Sequence, residues 1–196
     1  MPFSFVVTVG RAACVTVLTA VTSAPDRTSV TSPCCLPPSD TTEILKHIPH
    51  RYPFLLIDRM EGCEPNQWAR VIKNVSHTDE FFAGVPVERR VMPQMLLLES
   101  LAQAAGVLCH YSGMMSRIGK TIFFFAGFDK CHFGRDVVPG DQLLLECTMK
   151  RAARGVAKIH GRATVDGEMA VESDLTAVIR DMADEAAKRT EAATCA

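Results

Sequence analysis

One carboxylate, Glu99, interrupts the run Met95 to Cys109, whose other residues are nearly all Met, Leu, Ala, Val and Gly. The only other polar members are Ser100 and Gln103. Glu99 and Gln103 are four positions apart, so on a helix they share a face. A carboxylate in such surroundings must be paired, neutralised or at work. The bland alternative is a structural carboxyl held by hydrogen bonds at an interface. The chain also has six histidines: His47, His50, His77, His110, His132 and His160.

The element that must position Glu99 is a helix beginning near Pro93, where a missing N–H costs nothing. Apolar on nearly every face, it predicts burial all round. Its length from Met95 to Cys109, roughly 22 Å, is too short to cross a bilayer. Upstream, Thr41-Thr42-Glu43 followed by Ile44, Leu45 and Ile48 predicts a short capped helix ended by Pro49. Phe54-Leu55-Leu56-Ile57 reads as a strand, and Trp68 to Val75 as a second, with strict alternation.

After Gly113 the period is two. Thr121 to Phe128 suits a strand buried on both faces. Val138-Pro139-Gly140-Asp141 is a turn; Gln142 to Lys150 places Leu143, Leu145, Cys147 and Met149 on one face. Arg154-Gly155 and Asp166-Gly167 are tight turns flanking the alternating run Ala157 to Val165, and Met169 to Ile179 closes the pattern. The plan is α+β: a long buried helix, then an antiparallel meander with one wet face, which must wrap around the helix.

The chain has 196 residues, 47% hydrophobic and 22% charged, which fits one core-forming domain over residues 41–182. Residues 1–40 form an extension and 183–196 a charged, alanine-rich tail. The extension reads as disordered, as sequence upstream of the true start, as a targeting segment with a weak apolar core at Ala12 to Ala20, or as an anchor. A net charge of −1 gives no global electrostatic case for nucleic acid. None of the eight cysteines forms a C-x-x-C pair, and several lie in apolar runs; this points to a reducing compartment and no metal site. There is no internal repeat, phosphate-cradling loop or membrane-spanning run, so no stable membrane insertion is expected.

Several stretches together resemble one family. They are HIPHRYPFLLIDR (His47 to Arg59), KNVS (Lys73 to Ser76), FF-x-G (Phe81 to Gly84), LLLESLAQAAGVL (Leu96 to Leu108), FFAGFDK (Phe124 to Lys130) and VVPGDQL (Val137 to Leu143). In one register over about Thr41 to Met182 they resemble the FabZ-type (3R)-hydroxyacyl-acyl-carrier-protein dehydratases of fatty-acid biosynthesis. The resemblance implies a single hot-dog fold, dimers or trimers of dimers, and an acyl tunnel at the dimer interface. It implies reversible loss of water from a 3-hydroxyacyl thioester carried by acyl carrier protein, with no cofactor. A loop histidine would take the α-proton, and a glutamate on the partner subunit's helix would protonate the leaving hydroxyl. A backbone N–H at the helix start would polarise the thioester carbonyl.

Carried over, Glu99 is the acid, and Phe82, Gly84, Gln103 and Phe124 are substrate-binding positions. The base does not carry over. Where the family reads G-H-F-P-G, this chain reads Gly84-Val85-Pro86-Val87-Glu88, so Val85 holds the histidine's place. Pro93-Gln94 replaces a Pro-Gly, and Phe124 stands where some members have tyrosine. Of possible stand-ins, His77 shares the loop and Glu88 lies three residues past Val85. His110 is about 16 Å along the helix from Glu99, His132 and His160 read as surface residues, and His47 and His50 as packing and capping residues. Arg89-Arg90 and the Lys150-Arg151-Arg154 cluster are candidate contacts for an acidic carrier. Three functions follow: a dehydratase with a relocated base, a non-catalytic subunit partnering an intact dehydratase, or a thioesterase using Glu99. The setting is cytoplasmic, or an organelle stroma or matrix if the extension is a transit segment.

Overall fold

A computed structural model describes residues 35–115 and 121–181. The expected tail and all but the last few residues of the expected extension lie outside the described residues. The folded chain starts earlier than Thr41: Leu36 bridges to Cys63 and Ser39 to Met60. The first helix, α1 (Thr41–Ile44), is capped by Asp40, whose carboxylate accepts from the Glu43 N–H at 3.0 Å.

The long helix is α2 (Gln94–Tyr111), with Pro93 immediately before it at φ −57°. From residue 100 to 109 every position is buried. The first turn is not, since Met95 is 67% exposed. The helix is therefore inserted end-on, its start at the surface and its middle inside the sheet.

Six antiparallel strands surround it: β1 (Arg59–Glu64), β2 (Trp68–Asn74), β3 (Thr121–Phe133), β4 (Gln142–Ala153), β5 (Val156–Val165) and β6 (Glu168–Asp181). Their order in the sheet is β1-β2-β4-β5-β6-β3. The expected meander holds for β4-β5-β6 only. Strand β4 takes the place beside β2, pairing Val71 with Leu145, which leaves β3 the open edge of β6. Leu143, Leu145, Cys147, Ala157, Ile159, Ala163 and Leu175 of the inner face are at most 1% exposed. At Gly161 a Cβ would sit 2.9 Å from the Leu175 Cδ1 and 3.3 Å from both Leu101 methyls, so a residue without a side chain lets α2 press on β5. Both residues of Arg154-Gly155 (φ 52° and 73°) and of Asp166-Gly167 (φ 51° and 85°) are left-handed, as two-residue hairpins between right-twisted strands require.

Two further expectations need correction. Phe54 to Ile57 is not a strand: it leaves a turn in which the Phe54 and Leu55 N–H groups donate to the Arg51 carbonyl, and the Gln103 side chain of α2 bonds the Phe54 carbonyl and the Leu56 N–H. The strand in that region is β1, hidden in the sequence because a bulge between Met60 and Gly62 breaks its alternation. Strand β3 runs to Phe133 and is only half-buried within the chain, with Phe124 47% exposed, because it is an edge strand with one neighbour. Among the described cysteines, Cys35, Cys63, Cys109, Cys131 and Cys147 are free thiols. Burial pushes the Cys63 and Cys109 thiols up to about 12, so they pack as small hydrophobes.

Candidate active site

Glu99 stands one turn into α2, where the helix dips from the surface into the sheet; its side chain is 25% exposed. The spacing from Glu99 to Gln103 does what helical geometry requires: the Gln103 Nε2 donates to Glu99 Oε1 at 2.8 Å. Gln103 is itself buried and fully occupied. Its Nε2 also donates to the Phe54 carbonyl at 2.8 Å, and its Oε1 accepts from the Leu56 N–H at 2.9 Å. One amide thus fixes the carboxylate and straps the 54–56 segment to the helix. With both donors committed, Gln103 orients Glu99 and has no donor left for a ligand.

His50, expected from the sequence to be a packing or capping residue, joins this group. His50 Nε2 lies 3.5 Å from Glu99 Oε1, and its side chain is 32% exposed. The bend that presents it is held by Arg51, whose guanidinium donates to the carbonyls of Leu45 (3.0 Å), Ile48 (2.9 Å) and His50 (2.7 Å). The ring's Nδ1 is buried with no hydrogen-bond partner among the described residues, so Nε2 is the reachable nitrogen. Burial lowers the His50 pKa, the Glu99 charge raises it, and Arg51 lowers it further; the net shift is downward, which keeps the ring neutral near pH 7. His50 and Glu99 are 49 residues apart, so no local spacing announces their contact.

The loop leading into α2 is also built from named bonds. Lys73, almost wholly buried, donates to Asp79 at 2.9 Å and to the Asn74 carbonyl at 2.6 Å, and Asp79 also accepts from the Ser76 N–H at 3.0 Å. Phe82 is buried in the core with its ring 4.5 Å from that of Phe81, so within one chain it supports the loop from beneath. Gly84 is at φ 75° with open space where a Cβ would be. Val85 is half-buried; its N–H donates to the Phe82 carbonyl and its carbonyl accepts from Arg90 Nε, both at 3.0 Å.

Arg90 is the loop's tie, because it also donates to the His77 carbonyl (3.0 Å) and meets the His77 Nε2 at 2.7 Å. Arginine has only donors, so the His77 nitrogen spends its lone pair accepting that bond. Glu88 is exposed on a single 3₁₀ turn, Val87–Arg89. The structure therefore brings Glu99, Gln103 and His50 together and ties His77 and Val85 to Arg90. Phe124 lies on the open edge strand. Of the basic residues expected to face a carrier, Arg90 is turned inward, and Lys150 donates to Asp174 at 2.6 Å.

Among the described residues no group of His, Cys, Asp and Glu could hold a metal ion, and no helix is long and apolar enough to cross a membrane.

The sequence matches the FabA-like domain over residues 48–174. It is 43% identical over 143 residues to the 3-hydroxyacyl-[acyl-carrier-protein] dehydratase FabZ of Chromobacterium violaceum, covering 73% of this chain and 95% of that one. It is 47% identical over 137 residues to the FabZ of Coxiella burnetii, covering 70% and 96%. Among solved structures, the dehydratase heterocomplex ApeI:P from Xenorhabdus doucetiae superposes with a TM-score of 0.61 at 14% identity, over 71% of this chain and 92% of that one. A hot-dog-like protein from Thermanaerovibrio acidaminovorans superposes at 0.50 with 18% identity, over 65% and 90%. These two likenesses establish a hot-dog fold: the six-stranded sheet and its central helix.

Proposed function

Because the chain belongs to the FabZ-type hydroxyacyl-carrier-protein dehydratase family, we propose that it removes water from 3-hydroxyacyl thioesters of an acyl carrier protein, with Glu99 as the acid. The observation that carries this reading is the Glu99 carboxyl itself. It is partly exposed at the surfacing end of a buried helix, and the buried Gln103 amide aims it. A protonated carboxyl so placed gives its proton to the β-hydroxyl as the C–O bond breaks. The first hydrogen bond of α2 is donated by Leu96 to the Pro93 carbonyl at 2.8 Å. The Gln94 and Met95 N–H groups before it, at the positive end of the helix dipole, suit the thioester oxygen.

The acyl chain would run along Phe124 and the Phe82–Gly84 loop, in a tunnel closed by a second copy across the open β3 edge. Self-association as a dimer or trimer of dimers, in the cytoplasm or an organelle stroma, belongs to the same reading.

Val85 favours a second reading. It occupies the place of the family's basic histidine, and a valine has no lone pair with which to take a proton. Loss of a general base costs about 10²–10⁴ in rate. On that reading the chain is a non-catalytic partner of an intact dehydratase.

One assay separates them: purified protein is given a 3-hydroxyacyl carrier-protein thioester, and both enoyl product and free thiol are followed. Enoyl product that disappears in Glu99→Gln supports the dehydratase. Silence from the wild-type chain, with activity appearing in Val85→His, supports the partner subunit. Free thiol that depends on Glu99 would make the protein a thioesterase and sink both.

A further inference from the structure

A dehydration needs two groups acting on adjacent carbons, one accepting the α-proton and one donating to the β-hydroxyl. They must therefore stand a few ångströms apart and face the same bound chain. Among the described residues the histidine that meets this condition with Glu99 is His50, its Nε2 3.5 Å from Glu99 Oε1; the pairs His47–Glu43 and His160–Asp174 are as close but do not include the carboxylate of α2. The two side chains are a third and a quarter exposed, so both are within reach of a ligand. Neither Val85 nor His77 competes for the role, the first having no basic atom and the second having its ring nitrogen bonded to Arg90 at 2.7 Å.

Resting on the dehydratase reading above, we infer that His50 is the proton acceptor of this chain, a catalytic residue working with Glu99 of the same subunit.

The step balances without a co-reactant. His50 Nε2 takes the α-hydrogen as a proton, and the C–H electron pair becomes the second bond between the α- and β-carbons. The β-carbon–oxygen bond breaks, and the hydroxyl leaves as water with the proton of Glu99. The pair ends as imidazolium and carboxylate. One proton passing from Nε2 back to Oε1 across the same short gap restores the neutral ring and the protonated acid. The charged and titratable neighbours of His50 are Glu99 and Arg51. Arg51 is committed to three backbone carbonyls and holds the ring in place. Burial, the largest influence on the ring, favours its neutral form, the form a base requires.

The test uses the full-length chain and the N-acetylcysteamine thioester of 3-hydroxydecanoic acid, comparing wild type with His50→Ala and His50→Gln. The expected result is a fall in kcat of about 10²–10⁴ in both variants with KM little changed. Added imidazole should restore part of the rate in His50→Ala only. The loss of kcat/KM expected of wild type at acid pH, below the ordinary histidine range, should vanish in both. A folded His50→Gln within threefold of wild type would overturn the assignment and leave the dehydratase reading standing. Absence of enoyl product from wild type would overturn that reading, and the assignment with it. If both variants lose their thermal transition, nitrogen NMR of the ring decides: changing Glu99 to Gln must shift the His50 Nε2 resonance, whose atom lies 3.5 Å from the replaced carboxylate oxygen, and an unmoved resonance refutes the pair.

Discussion

Gln103 shows how much a single buried amide can carry. Its three hydrogen bonds join Glu99, the Phe54 carbonyl and the Leu56 N–H. Replacement by leucine keeps the volume but leaves the buried Leu56 N–H without its partner, at a cost of about 1–3 kcal/mol, and frees the part-buried Phe54 carbonyl as well. Gln103→Leu is therefore expected to lower the urea midpoint clearly and to reduce turnover beyond that, because Glu99 loses its aim. Unchanged stability would mean that the strap is not a strap.

Two histidines give stability a pH dependence. Burial is the first cause of a lowered pKa at both His50 and His110, and at His110 the neighbouring His47 adds to it. Between the folded value and the ordinary 6.5 or so, the unfolded chain binds more protons, so unfolding free energy rises with pH there. Stability should be flat above about pH 7 and fall as the pH drops through 6.5. Urea melts at a series of pH values check this, and His110→Phe, which keeps the stack on His47, should flatten the slope.

At the level of elements, the entry loop of α2 depends on an ion pair. Lys73 has a side chain only 6% exposed, and Asp79 is its carboxylate. Removing Asp79 strands a buried ammonium, so Asp79→Ala should cost about 3 kcal/mol. The same charge replaced by Lys73→Met should cost far less, because the remaining aspartate can reach water. Chemical denaturation of the two variants makes the comparison, and equal losses would contradict it.

The same elements differ in how far local residue pattern specifies them. The helix and the Glu99–Gln103 pair follow from spacing within one turn, which is local. The run Phe54 to Ile57 has the composition of a strand and is not one, because its partners are the Arg51 carbonyl and the amide of Gln103, not a neighbouring strand. Strand β1, interrupted by a bulge, lacks the alternation that would have revealed it.

At the scale of the whole molecule, the described sheet is open along β3. Strand β3 is a 13-residue edge carrying an exposed Phe124, and long apolar edges are normally covered. The protein should therefore run in solution as a dimer or a larger multiple of 21.4 kDa, measured by light scattering; a stable monomer would count against the tunnel.

By itself the sequence determined the class of fold, the buried helix, the carboxylate on it and the absence of histidine at position 85, because each is written in adjacent residues or in short periods. Only the tertiary structure decided that β3 closes on β6, and that His77 is tied to Arg90. It alone brought His50, half a hundred residues from Glu99, to 3.5 Å from its carboxylate. Such contacts depend on how the His50–Ile57 segment is strapped across the helix. That is a property of packing in three dimensions and leaves no mark in residue spacing.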